Sequence, residues 1–193
     1  MIPAWLKVCF KEISMKTITR VFWLFGRSGA GKTTLAVRLC GGLKDLSIPV
    51  IHLDGDDLRP TLCSDLQFSP KDRLENHRRI AEVARLLARQ GFNIVVSTMA
   101  PEQQQRDLVT QILGKHLVWI YIDASLDLCM RRDPKGLYSR AAQGQVKGLI
   151  DYPFDPPREK ERRIFIDTAI QNVEQCYHDI LEEVKKELTD FAI

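Results

Sequence analysis

Five short apolar runs recur along the chain, Val21–Phe25, Val50–Leu53, Phe92–Val96, Leu117–Ile122 and Ile164–Ile166, each closed by a polar or glycine-rich turn. Continuous apolar runs of this length, without strict alternation, predict strands buried on both faces of a parallel sheet. Segments of helical spacing lie between them. The clearest places Ile80, Val83, Ala84 and Leu87 at i, i+3, i+4 and i+7, with Gly91 where a C-terminal cap belongs. A last helix is predicted from Ile170 to Leu188, packing through Val173, Tyr177, Ile180, Leu181 and Val184. Alternating strand and helix implies right-handed crossovers and a three-layer α/β sandwich around a mainly parallel five-stranded sheet. Such sheets bind ligands beyond the carboxyl ends of their strands. Gly26 onward, Asp54 to Asp57, Ser97 to Pro101, Asp123 and Asp167-Thr168 all fall there.

The stretch from Arg131 to Glu161 breaks this rhythm. Gly136, Gly144, Gly148, Pro134, Pro153, Pro156 and Pro157 interrupt a run rich in Lys and Arg, a composition that predicts a basic lid over an anionic ligand. The chain thus divides into an N-terminal extension, residues 1–20, and one domain, residues 21–193, with its lid at about 131–161.

Composition narrows the class of protein. A chain of 193 residues can bury one sizeable core, and a net charge of +3 is too small to imply a nucleic-acid partner. Cys9, Cys40, Cys63, Cys129 and Cys176 are odd in number, widely spaced and without a C-x-x-C pair. Neither a disulfide framework nor a zinc site is expected, and a cytoplasmic location is. The segment Met1–Arg20 is interrupted by Pro3, Lys7, Lys11, Glu12 and Lys16, so no signal peptide or membrane partner is expected, and Met15 is an alternative start. His52, His77, His116 and His178 have no ligand spacing and receive no catalytic role.

Chemistry enters with Gly26-Arg27-Ser28-Gly29-Ala30-Gly31-Lys32-Thr33. In this G-x-x-x-x-G-K-[ST] pattern the glycines turn backbone N–H groups toward phosphates, the lysine reaches the β and γ oxygens, and the hydroxyl binds Mg²⁺. The flanking Val21–Phe25 and Leu35-Ala36-Val37 supply the strand and helix that the motif requires. The loop alone fits a kinase, a GTPase, an ATPase motor or a switch. Asp54 and Asp56, two apart around Gly55, add carboxylates able to face both the metal and an incoming hydroxyl group. Arg73 and Asn76, three apart at a helix start, share a face that could hold an anionic group and a sugar or base edge.

These residues resemble the adenylylsulfate kinase family of P-loop kinases, which phosphorylate the 3′-hydroxyl of adenosine 5′-phosphosulfate (APS) with MgATP. The resemblance runs from about Val21 to Thr168. It includes the P-loop, Asp54-Gly55-Asp56 with Arg59, the block Asp65-Leu66-x-Phe68-Ser69-x-x-Asp72-Arg73-x-Glu75-Asn76-x-Arg78-Arg79, and Arg132-Asp133-Pro134-Lys135-Gly136-Leu137-Tyr138. It implies Asp56 as the base, assisted by Lys32 and Arg73, and Thr33 with Asp54 at the Mg²⁺. The implied ATP contacts are Gly26 through Thr33 with Thr34, Arg132 and Thr168. Those to APS are Asp56, Arg59, Phe68, Arg73, Asn76, Lys135 and the lid position Leu149. A homodimer and association with ATP sulfurylase are further implications.

Three positions depart from the family pattern. A Ser-Pro followed by two arginines reads here Ala100-Pro101-Glu102-Gln103-Gln104-Gln105-Arg106, which removes one acceptor-side arginine, retains Arg106, and argues against a phosphoserine. The lid segment Lys147-Gly148-Leu149-Ile150-Asp151-Tyr152-Pro153-Phe154 is shortened, and Leu149 stands where the family has a phenylalanine that stacks on the APS adenine. That stacking is worth about 1–3 kcal/mol, and Phe154 or Tyr152 are the rings near enough in sequence to compensate. Arg27 adds a cation inside the P-loop, either to tighten ATP or to point into solvent. The expected activity is adenylylsulfate kinase. The rivals are a sibling kinase acting on another nucleotide conjugate, as in surface-polysaccharide modification, and a weakly active regulatory nucleotide-binding subunit.

Overall fold

Every residue of Val21–Phe25 (β1) is fully buried, because this strand lies at the centre of the sheet and is covered on both faces. The computed structural model describes residues 19–145 and 153–189. The expectations for Cys9 and Met15 in the extension, and for Lys147, Leu149 and Tyr152 in the lid, lie outside the described residues. After β1 come α1 (Lys32–Asp45), β2 (Val50–Asp54), α2 (Gly55–Leu58), α3 (Pro70–Arg89), β3 (Asn93–Thr98) and α4 (Gln103–Leu113). Then follow β4 (Leu117–Asp123), α5 (Leu126–Arg132), α6 (Leu137–Ala142), β5 (Ile164–Asp167) and α7 (Val173–Thr189).

The five strands are all parallel, in the order β2-β3-β1-β4-β5. Alternate side chains of a strand point to opposite faces, so β1 feeds two cores. Phe22 and Leu24 pack with Leu35, Ala36 and Leu39 of α1 and Ile180 and Val184 of α7. Val21, Trp23 and Phe25 pack with Ile80 and Ala84 of α3 and Val109 and Leu113 of α4. The expected three-layer sandwich is therefore present.

Local chemistry sets the helix ends. Ser69 caps α3 by accepting from the Asp72 N–H at 3.2 Å, Pro70 occupies the first turn, and Gly91 leaves the helix at φ +94°. Two of these elements start later than expected. The strand after α3 begins at Asn93, whose buried side chain accepts from the Arg20 N–H at 2.9 Å, while Phe92 stays partly exposed. The last helix begins at Val173, and Ile170 is 81% exposed before it. Its buried face is Cys176, Ile180 and Val184, with Val173 turned outward. The excursion from Arg131 to Glu161 starts inside α5, includes α6, and ends in a 3₁₀ turn at Glu159–Arg162.

Arg106 is corrected from an acceptor-side cation to the centre of a buried staple. Its side chain and that of Glu161 are both fully buried and paired at 3.0 Å. The guanidinium also donates to the carbonyl oxygens of Ala100 (2.9 Å), Pro101 (3.0 Å) and Asp155 (3.1 Å) and to Gln103 Oε1 (2.9 Å). Gln103 Nε2 donates in turn to Glu161 Oε1 at 2.6 Å. One residue of α4 thereby joins the β3–α4 turn to the chain returning to β5. Removing one member of such a pair strands a buried charge. Glu161→Ala is expected to lower unfolding free energy by about 3–5 kcal/mol in denaturant titration, and Arg106→Met with Glu161→Leu together to lose less than either single change.

Candidate active site

The P-loop is shaped by close approach. A Cβ on Gly26 would lie 2.2 Å from the Ile122 carbonyl oxygen, so only glycine lets β1 leave the sheet beside β4. Gly31 caps α1 in the left-handed region at φ +105°. Around this turn the Gly26 N–H donates to Met99 O at 3.2 Å and Lys32 Nζ reaches back to Arg27 O at 2.7 Å. Tyr138 Oη donates to Ser28 O at 2.9 Å, which ties α6 to the loop. Thr34 is exposed on the first turn of α1.

Asp54 joins three elements. Its Oδ2 accepts from Thr33 Oγ1 at 2.8 Å and Ser97 Oγ at 2.7 Å, and its Oδ1 from the Asp56 N–H at 2.8 Å, which also caps α2. Burial pushes the Asp54 carboxyl up, but the hydrogen bonds outweigh it and hold the pKa below the usual carboxylate range. Because an ionised carboxylate only accepts, Thr33 must place its hydrogen on Asp54 and turn its lone pairs away. A hydroxyl so directed beside a carboxylate suits a hard cation. Among the described residues no cluster of three or more Asp, Glu, His or Cys side chains could hold a metal unaided. Thr33 and Asp54 therefore fit Mg²⁺ in the form it usually takes, ligated largely by phosphate oxygens and water.

Other predicted residues meet in pairs. Arg132 donates to Thr168 Oγ1 (2.9 Å) and Thr168 O (2.6 Å), while Thr168 Oγ1 lies 3.2 Å from Ala30 O in the P-loop. Lys135 forms an ion pair with the exposed Asp56 carboxylate, and this hydrogen bond raises the lysine's pKa. Phe68 is 65% exposed and has two guanidiniums within reach of its ring, Arg59 Cζ at 4.9 Å and Arg73 Cζ at 5.6 Å from the ring centre. Arg73 Nε donates to Phe68 O and Arg59 Nη1 to Gln67 O, so both cations hold the loop that presents the ring. Asn76 is 4% exposed, and its Oδ1 accepts no hydrogen bond from the described residues. The Arg27 guanidinium lies 5.0 Å over the Phe154 ring.

Sequence reasoning gave Ser97 only a place at a strand end and Tyr138 only a place in a motif, and gave His52 and His77 no role. His52 Nε2 lies 2.9 Å from Ser97 Oγ. Buried His77 donates from Nδ1 to Arg73 O at 2.8 Å and stacks on Trp23, and burial lowers its pKa to about 4. A serine closing an otherwise apolar strand was the available signal for Ser97. Histidines that act through a neighbour have no ligand spacing to give them away.

An adenylylsulphate kinase family model matches residues 18–165. An adenylyl-sulfate kinase of Clostridium acetobutylicum is 38% identical over 178 residues, which is 91% of this chain and 88% of that protein. One from Paraburkholderia xenovorans is 44% identical over 140 residues, 71% and 78% of the two chains. The solved Mycobacterium tuberculosis APS kinase CysC, in complex with AMPPNP and APS, matches with a TM-score of 0.81 at 31% identity, covering 86% of this chain and 98% of that one.

Burial, partly opposed by Asp56 and Asp54, lowers the Lys32 pKa from 10.5 to about 8. At about 1.4 kcal/mol per pH unit, the charged lysine costs the folded apoprotein on the order of 3 kcal/mol. That cost is complete below pH 8, where the folded and unfolded lysines are both protonated, and fades as pH rises from about 8 through 10.5. Lys32→Met is expected to be more stable than the parent at neutral pH and to lose that advantage across this window, as read by denaturant unfolding at several pH values.

Proposed function

This chain belongs to the adenylylsulphate kinase family, and we propose that it transfers the γ-phosphoryl group of ATP to the 3′-hydroxyl of APS, giving 3′-phosphoadenylylsulfate and ADP. The observation that carries the site reading is the position of Asp56. Its carboxylate is an electrostatic neighbour both of Lys32 in the triphosphate cradle and of Arg59 beside the Phe68 ring. A base at that junction can take the proton of a hydroxyl held on one side while the oxygen attacks a phosphorus held on the other.

In this reading the new bond joins the 3′-oxygen to the γ-phosphorus, the bond from that phosphorus to the β–γ bridging oxygen breaks, and Asp56 holds the proton. Lys32 and the inward-turned N–H groups of Gly26–Thr33 bear the charge on the phosphates. Thr33 and Asp54 would hold Mg²⁺, which when bound would offset the negative charge of the phosphates. Arg132 and Thr168 flank the ATP side. Phe68 offers its face to the acceptor base, Arg59 and Arg73 face the phosphosulfate, and the unpartnered Oδ1 of Asn76 suits a ligand donor. Residues 131–161 act as a lid, supported by the contacts of Lys135 with Asp56 and Tyr138 with Ser28.

We assign the reaction to the cytoplasm, in keeping with four buried free thiols, Cys40, Cys63, Cys129 and Cys176. Among the described residues no helix is long and apolar enough to cross a membrane. Further partners, a second copy of the chain and an ATP sulfurylase, rest on family membership alone.

Purified protein with MgATP and APS is expected to yield 3′-phosphoadenylylsulfate. ATP consumption with a different nucleotide conjugate and none with APS would overturn the acceptor. Asp56→Asn is expected to lower turnover by about 10²–10⁴-fold with ATP affinity nearly unchanged, as measured by calorimetry beside the rate assay.

A further inference from the structure

His52 and Asp54 are two residues apart on β2, so their side chains project from the same face of the sheet. The β2–β3 register sets Ser97 directly beside Asp54. Three polar side chains therefore continue the row that begins with Val50 and Val95 in the core under α1. His52 Nε2 is 2.9 Å from Ser97 Oγ but 3.9 Å from Asp54 Oδ2, so the imidazole reaches the carboxylate through the serine.

The direction of these hydrogen bonds is fixed by their far end. Asp54 is acceptor-only when ionised, and Ser97 lies 2.7 Å from its Oδ2, so the one hydroxyl hydrogen of Ser97 belongs to Asp54. Ser97 then presents only lone pairs to His52. The hydrogen between them must come from the imidazole, which sets His52 in the Nε2–H form. Without that donor the Ser97 hydroxyl could rotate away from Asp54. Asp54 Oδ2 would then lose one of the two hydroxyls that fix its plane, Thr33 being the other.

We infer that His52 is a positioning residue of the transfer site: through Ser97 it locks the Asp54 carboxylate in the orientation that aims the Thr33 hydroxyl at the metal-bound triphosphate. The inference rests on the assignment of Thr33 and Asp54 to that triphosphate. Residues that orient metal-site ligands at one remove typically change metal affinity when replaced, although they touch neither metal nor substrate. His52 is half-buried on an edge strand, so replacement does not hollow out the core.

The test compares His52→Leu, which removes the donor, with His52→Gln, whose side-chain amide can replace Nε2–H. ATP binding is measured by calorimetry at a series of Mg²⁺ concentrations and in EDTA, without acceptor and without turnover. His52→Leu is expected to raise the Mg²⁺ concentration for half-maximal tightening of ATP by on the order of tenfold, with affinity in EDTA unchanged. His52→Gln should lie within about twofold of the parent, and His52→Leu should add little to Ser97→Ala in the double variant. A His52→Leu curve that superimposes on the parent overturns the inference, as does a His52→Gln variant as impaired as His52→Leu. Parent protein whose ATP affinity ignores Mg²⁺ would overturn the metal assignment itself.

Discussion

The carboxylate of Asp54 carries one negative charge in a buried position, and its three hydrogen bonds come from three different parts of the fold. Thr33 belongs to the P-loop, Ser97 to β3, and the Asp56 N–H to the first turn of α2. Such a group is costly to bury unless every lone pair is answered. Satisfying it therefore fixes the cradle, the sheet edge and the turn bearing Asp56 relative to one another. The P-loop and the turn bearing Asp56 are thus tied together through one buried carboxylate.

The β3–α4 turn depends on a second buried charge. Arg106, answered by Glu161, Gln103 and the carbonyls of Ala100, Pro101 and Asp155, fastens the β3–α4 turn to the chain that returns to β5. The backbone of that turn also meets the P-loop, where Met99 O accepts from the Gly26 N–H. Phe154, one residue before the fastened Asp155, lies under Arg27 of the P-loop. The position where a serine is absent, Ala100, is fully buried at φ +41°, with its carbonyl turned to Arg106. Its role is to shape the backbone, which needs no hydroxyl.

What was legible in the sequence follows from what periodicity and spacing encode. The continuous apolar run Val21–Phe25 reads as a strand covered on both faces, and the glycine spacing between it and a helix reads as a phosphate cradle. Ordered motifs singled out Arg132, Thr168, Arg59, Phe68 and Arg73 one by one, but the hydrogen bonds of Arg132 to Thr168 and the approach of both guanidiniums to the Phe68 ring are visible only in the fold. Arg106 was legible only as the retained arginine that follows the β3–α4 turn, because Glu161, which pairs with it, lies 55 positions away. His52 was passed over for a related reason. Its significance lies in the β2–β3 register, a long-range property that no local pattern records. Val173 was assigned to the core by spacing, but it is 46% exposed in the first turn of α7 and the buried face begins at Cys176.

Replacement of Asp54 by Asn tests the junction most directly, since it keeps the volume but removes the charge and sets an amide donor against hydroxyl donors. The measurement is the rate of phosphoryl transfer from MgATP to APS, taken beside circular dichroism to verify that the fold is retained. The expected result is a folded protein whose transfer rate falls by on the order of 10²-fold or more. A folded Asp54→Asn enzyme with a rate near that of the parent would contradict the role given to this carboxylate.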